Sequence, residues 1–275
     1  MLSFLTDPLL TLIYPQQCGS CGHLVEKAFE GAACRACWTA TKIFAPSDPI
    51  CSKCGAPLPS ISDRSVSTCK QCDDDHYDAA RAAGVYEKAL SASVLRLKQE
   101  DHVPGAIGQL LRIAFDSMPL PKDLTIVPVP LSKQRLLERG FNQAKLLARA
   151  IAQHSRHPLD EFSLARKQDT PMHRAAMDRK AREASVRNVF HVVRPSLIRG
   201  RNILLVDDLM TSGSTVSYCA KALKRSGAGE HSVAFGRRSC RRSRARLNPA
   251  ASLALLARTP VLRPCASPAR RRTVA

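Results

Sequence analysis

Fourteen residues, Asn202 to Thr215, hold the groups best placed to do chemistry: Asn-Ile-Leu-Leu-Val-Asp-Asp-Leu-Met-Thr-Ser-Gly-Ser-Thr. Asp207 and Asp208 are neighbouring carboxylates, able to accept hydrogen bonds from a sugar diol directly or through a hydrated divalent cation. After Leu209 and Met210, the residues Thr211, Ser212, Gly213, Ser214 and Thr215 are all small or hydroxylated. Such a loop lets successive backbone N–H groups turn inward around a phosphate, and a helix following it aims its positive dipole end at the anion. A helical pattern does follow, Val216 to Ser226, closed by Gly227. The loop is neither a Walker A nor a Gly-x-Gly-x-x-Gly turn. A lone Asp-Asp more often ends a core strand and caps the next helix; the whole string is far more specific than the pair.

The elements that must position these groups can be read outward from them. Ile203 to Val206 is a continuous apolar run, the pattern of a strand buried on both faces, which puts the acids at its carboxyl end. Leu124 to Val129 reads as a second buried strand, its prolines limiting its pairing and Pro130 ending it. Ser132 then caps a helix that carries Lys133, Arg135 and Arg139 and an apolar stripe through Leu146, Leu147 and Ile151. In an open α/β sheet, basic residues just beyond a strand face the same crevice as the phosphate loop. Arg135 and Arg139 are therefore candidate pyrophosphate ligands; for any single arginine, a solvated helix face is the plainer reading. Tyr77 to Leu111 reads as mostly helical and interrupted at Pro104, with Leu90, Val94, Leu95 and Leu97 on one stripe. Lys98 at the end of that stripe is either a surface charge or a phosphate neutraliser. Val189 to Val193 reads as a short strand.

Eight of the eleven cysteines precede position 73, as Cys18/Cys21, Cys34/Cys37, Cys51/Cys54 and Cys69/Cys72. Each pair is Cys-x-x-Cys, the spacing of a knuckle that gives two thiolates to a tetrahedral zinc ion. Four pairs supply two closed, structural sites, with consecutive knuckles expected to pair and an interleaved arrangement left open. A redox Cys-x-x-Cys should occur once, after a strand and before a helix, so four copies favour zinc. His23 and His76 could substitute as ligands but are expected to face solvent. Asp73-Asp74-Asp75 reads as a solvated linker. The fold class expected is α/β, a mostly parallel sheet flanked by helices, behind an N-terminal zinc-ribbon domain.

The string around the acid pair resembles the phosphoribosyl-pyrophosphate (PRPP) motif of type I phosphoribosyltransferases. With Val-Pro-Val-Pro-Leu, Arg-Leu-Leu-Glu-Arg-Gly-Phe-Asn-Gln and the paired knuckles, in this order, the chain is similar to the ComF family of competence-associated, phosphoribosyltransferase-like proteins over roughly Leu9 to Phe235. The resemblance implies that Asp207 and Asp208 meet the ribose hydroxyls and that Met210 to Thr215 hold the 5′-phosphate. Mg²⁺ would accompany PRPP, and Lys98, Arg135, Arg139 and Arg166 would serve the pyrophosphate or a hood over the sugar. The hood would span Ala165 to Arg187; Arg166, Thr170 and Arg182 match its pattern, while His173 and Ser185 depart from it. Phosphoribosyl (glycosyl) transfer is the implied activity, linked to DNA uptake. The alternative is a non-catalytic, PRPP-sensing or nucleic-acid-binding accessory protein of transformation, with single-stranded DNA or competence proteins as partners. The acceptor and the oligomeric state stay open.

The formal charge of +19 is concentrated at one end. From Arg237 onward there are eleven arginines and no acid, which leaves +8 for the body of the chain. Residues 237–275 are thus read as disordered, as a nucleic-acid-binding arm, or as the product of a shifted reading frame, the last favoured because the expected final strand at Ser232 to Phe235 is interrupted there. On that reading the sheet would lack part of an edge. Met1 to Tyr14 reads as a short amphipathic helix with no basic start or cleavage site, and no run approaches a membrane span, so a cytoplasmic location is expected. The division expected is 1–76 for the helix and ribbons, 77–236 for the phosphoribosyltransferase-like part, and 237–275 for the tail.

Overall fold

Ile203 to Val206 set the centre of the molecule, each with no exposed surface in the computed structural model, which describes residues 15–58, 68–69, 72–167, 189–229 and 231–235. They belong to β5, Asn202–Asp207. Four parallel strands form the main sheet in the order β1 (Ala79–Ala82), β6 (His231–Phe235), β5 and β2 (Leu124–Pro128). Successive side chains of β5 alternate between two cores. Ile203 and Leu205 pack with Val216, Cys219, Ala220 and Leu223 of one helix, α7 (Ser214–Arg225). Leu204 and Val206 pack on the other face with Leu90 and Leu97 of α2 (Lys88–Leu97), Leu111 of α3 (Gly105–Asp116) and Leu147 and Ile151 of α5 (Gln143–Ser155). This is the α/β class expected, with helices on both faces of a parallel sheet. A second pair, β3 (Leu164–Arg166) and β4 (Phe190–Val192), is antiparallel. Two further helices are short, α1 (Arg35–Thr39) in the ribbon region and α6 (Pro195–Ile198) just before β5.

Several local expectations are corrected. Ala79 to Ala82 is a strand, not helix, because it pairs in parallel with β6 along its length. Alanine favours helix intrinsically, and tertiary pairing overrides that preference. Leu95 is 51% exposed and leaves the buried stripe that Leu90, Val94 and Leu97 keep. The basic helix after β2 is two helices: α4 (Lys133–Arg139) ends at Gly140, left-handed at φ 77°, and Asn142 caps α5 by accepting from Ala144 N–H at 3.0 Å. The Ser132 cap stands, its hydroxyl accepting from Arg135 N–H at 3.4 Å. The short strand β6 is interior, between β1 and β5, so it is no edge. Arg166, expected in the hood, lies on β3. The expected N-terminal helix, the rest of the hood including Thr170, His173, Arg182 and Ser185, and the tail lie outside the described residues.

The ribbon region is joined to the sheet by backbone. Ile43 bridges Gly84, Phe44 N–H donates to Ala83 at 2.9 Å and Val85 N–H to Lys42 at 2.9 Å. From β1, Arg81 reaches back and donates to the Ser52 carbonyl at 2.9 Å. Among the described residues no helix is long and apolar enough to cross a membrane.

Candidate functional site

The acids sit where the sequence puts them, at the carboxyl end of the central strand. Asp207 is the last residue of β5, and its carboxylate accepts from Asp208 N–H at 2.8 Å. Burial pushes the Asp207 carboxyl well above the usual carboxylate range, the adjacent Asp208 charge adds to this, and the Lys98 ammonium partly offsets it. Lys98 is the C-cap of α2 and lies within electrostatic reach of the pair. Arg139, in the last turn of α4, is held below the usual guanidinium value by burial and by neighbouring Arg135, and the Asp208 carboxylate counters that shift. Two acids and three cations from three separated segments thus share one region at the carboxyl edge of the sheet. The Arg166 guanidinium lies 5.6 Å from the Phe190 ring centroid, and it and Asp207 both act electrostatically on the buried Cys219 thiol.

Beyond the acids the loop turns into α7. Gly213 is left-handed at φ 83° and is the N-cap of that helix. Ser212 and Ser214 hydroxyls lie 2.8 Å apart, and Ser217 N–H donates to the Gly213 carbonyl at 2.9 Å. Thr211 is exposed, Ser212 and Thr215 are half-buried, and Ser214 is buried. Met210 is only 2% exposed and its side chain lies in the core, so of this residue only the main chain is offered to a ligand. A Cβ at Gly213 would stand 2.7 Å from Met210 Cε and 3.2 Å from Tyr77 Oη. Gly213→Ala is therefore expected to destabilise the protein by about 1–2 kcal/mol, since left-handed backbone strain alone costs that much in a residue with a Cβ; urea titration measures it.

The linker before β1 belongs to this site, which the sequence reading missed. Asp73 and Asp74 are exposed, but Asp75 is half-buried and accepts from Tyr77 Oη at 2.8 Å. His76 is half-buried against Tyr218 instead of facing solvent, and its N–H donates to Ser217 Oγ at 3.0 Å. The only hint in the sequence was an aromatic residue just after three acids.

The cysteines form two separate groups, Cys18, Cys21, Cys34 and Cys37, and Cys51, Cys54, Cys69 and Cys72. Consecutive knuckles pair, as expected. Four sulfurs held about 2.3 Å from one tetrahedral ion stand about 3.8 Å apart. Here Cys21 and Cys34 are 3.6 Å apart, Cys51 and Cys72 3.7 Å, Cys54 and Cys69 3.5 Å, and Cys69 and Cys72 3.6 Å. Burial alone would raise the Cys18 and Cys51 thiols, but backbone N–H donors outweigh it and bring them to about 6 and about 7. Those donors are Cys34, Ser20 and Cys21 for the first, and Cys54, Cys69 and Lys53 for the second. Both groups fit a structural zinc ion with no open coordination position. Exposed His23 lies 3.3 Å from Cys21 Sγ, outside the four-sulfur set.

A double zinc ribbon joined to a parallel, helix-flanked α/β sheet with an acid pair at its carboxyl edge is the class that fold and site define. The family model of the double zinc ribbon domain matches residues 9–73. The DNA utilization protein YhgH of Salmonella typhi is 31% identical over 189 residues, 65% of this chain and 79% of that protein. Competence protein ComFC of Bacillus subtilis is 27% identical over 210 residues, 69% and 84% of the two chains. Competence protein F of Haemophilus influenzae is 28% identical over 209 residues, 73% and 87%. The chain belongs to this ComF family of competence and DNA utilization proteins. Among solved structures it is similar to the glutamine PRPP amidotransferase of B. subtilis, at TM-score 0.32 and 18% identity, covering 47% of this chain and 25% of that one. It is also similar to the allosteric regulatory enzyme of purine biosynthesis, at TM-score 0.32 and 19% identity, covering 49% and 27%. The chain spans only about a quarter of the length of those two enzymes.

Proposed function

We propose that this protein binds PRPP or a related ribose 5-phosphate at the end of β5 and transfers the phosphoribosyl group. The observation that carries the reading is the convergence of Asp207 and Asp208 with Lys98, Arg135 and Arg139 beside a Gly213-centred loop at the start of α7. Main-chain N–H groups of Met210 to Thr215 would take the 5′-phosphate, and the acids would accept from the ribose hydroxyls. The oxygen donors of the acid pair suit Mg²⁺, which would supply charge neutralisation at the pyrophosphate. Lys98, Arg135 and Arg139 would stabilise the same leaving group, with Arg166 a candidate on the hood side. In the transfer, the bond from ribose C1 to pyrophosphate breaks with its electron pair leaving on oxygen, and an acceptor nitrogen forms the new bond and gives up a proton. Such a step needs position and charge compensation more than a strong base.

A second reading keeps the pocket as a PRPP sensor in DNA uptake, with single-stranded DNA or competence proteins as partners; the relatives named for DNA utilization and competence favour it. In both readings 1–76 and 77–236 are the two working parts, 237–275 is a separate tail, and the setting is cytoplasmic. Titration calorimetry with PRPP and Mg²⁺ tests the pocket, and pyrophosphate release across a panel of bases tests turnover. Saturable binding with release supports transfer. Binding without release, together with a salt-sensitive gel shift of single-stranded DNA, selects the accessory reading, and no binding ends both.

A further inference from the structure

Beyond the groups that would touch a ligand, we propose that Asp75 and Tyr77 are positioning residues that fix the phosphate loop from behind, with the second cysteine group as their anchor. Tyr77 is 1% exposed, and its hydroxyl spends its hydrogen on Asp75 Oδ2 at 2.8 Å. That pair stands against Gly213: from where a Cβ would be, Tyr77 Oη is 3.2 Å and Asp75 Oδ2 3.6 Å away. One residue on, His76 N–H donates to Ser217 Oγ at 3.0 Å, and Ser217 N–H donates to the Gly213 carbonyl. Three consecutive residues therefore grip both the apex of the loop and the first turn of α7. Their other end is fixed, because Asp75 N–H donates to the Cys72 carbonyl at 3.1 Å and Lys53 Nζ to the Asp73 carbonyl at 3.0 Å. Cys51, Cys54 and Cys72 share a core with Tyr77, Met210 and Val216. The first cysteine group packs elsewhere, on Ala89 and Ala92 of α2.

A loop that binds an anion through main-chain amides works only if those amides are already aimed, since ordering them on binding would consume affinity. The brace supplies that order. Its carboxylate has a second consequence: a negative charge beside an anion site opposes the ligand, so its geometric role and its charge act in opposite directions.

The proposal rests on the phosphate reading for its ligand but not for its structural core, and the test separates the two. In Asp75→Ala and Tyr77→Phe, with zinc content still two per chain, deuterium exchange of amides 211–217 rises while that of 18–37 is unchanged. Ribose 5-phosphate binds about tenfold more weakly to Tyr77→Phe by calorimetry, and Asp75→Ala, which also sheds the opposing charge, loses less. Asp75→Asn keeps an acceptor for Tyr77 and loses the charge, so it restores slow exchange and binds at least as tightly as the wild type. Unchanged exchange at 211–217 in both Asp75→Ala and Tyr77→Phe overturns the proposal, as does raised exchange with wild-type affinity in Tyr77→Phe. If the wild type takes up no ribose 5-phosphate while exchange still responds as stated, the brace stands and the assignment of its ligand falls.

Discussion

Asp208→Ala is expected to lose PRPP affinity in the presence of Mg²⁺ by about ten- to a hundredfold, the cost of removing one charged hydrogen-bond acceptor from a ligand diol. Asp207→Asn should lose as much, yet it should gain stability, and the two effects come from one cause. Burial and the Asp208 charge raise the Asp207 carboxyl pKa in the folded chain, so the folded state holds its proton after the unfolded state has released it. With the unfolded group titrating near 3.8, stability declines as pH rises from there through the folded value and is flat above it. The asparagine side chain does not ionise, so the variant should melt higher than the wild type at pH 7 and at the same temperature at pH 3. Each kcal/mol gained would appear as about 2–4 °C in a protein of this size. A variant that kept full affinity would remove the acids from the site, and an equal gain at both pH values would remove titration as the cause of the stability change.

The second large effect separates the two cysteine groups. Cys51→Ser is expected to abolish cooperative melting of the whole protein, whereas Cys21→Ser should leave the sheet folded and ligand affinity within about twofold of the wild type. Structural zinc in such modules is worth about 10–16 kcal/mol, comparable with or above the entire 5–15 kcal/mol stability of a typical domain. The difference lies in location. Cys51, Cys54 and Cys72 are buried with Tyr77, Ala80, Val127 and Leu205 in the core on one face of the sheet, so losing that metal opens the sheet itself. Cys21 is exposed, and its group is tied to α2 through two alanines and Trp38. Zinc content should fall from two to one in either variant. Far-UV circular dichroism, thermal melts and PRPP titration then show whether the losses are as unequal as the packing requires; equal losses would mean that the ribbons stabilise the sheet together.

Which features a sequence discloses by itself follows from the range of each interaction. An apolar run such as Ile203 to Val206, bounded by acids, carries its burial in its own composition, and Cys-x-x-Cys carries the geometry of a knuckle in its own spacing. The strand, the acid pair at its end, each Cys-x-x-Cys knuckle and the Ser132 cap were local facts and could be read from the chain; which knuckles share a site was decided by the fold, since an interleaved arrangement fits the same spacing. Leu95 was misplaced because four leucine or valine positions in eight residues fit more than one helical stripe, and Gly140 was passed over because the apolar period continues on both sides of it.

What only the tertiary structure decided depends on partners far away in sequence. Ala-Ala-Arg-Ala is a strand because β6, about 150 residues later, offers it a parallel edge, and β6 is interior because β1 closes its other side. The approach of Asp75 and Tyr77 to Gly213, and of His76 to Ser217 across 141 residues, has no local signature. Propensity and periodicity report what a segment prefers alone. The backbone pairing and close packing that override those preferences exist only once the strands have met.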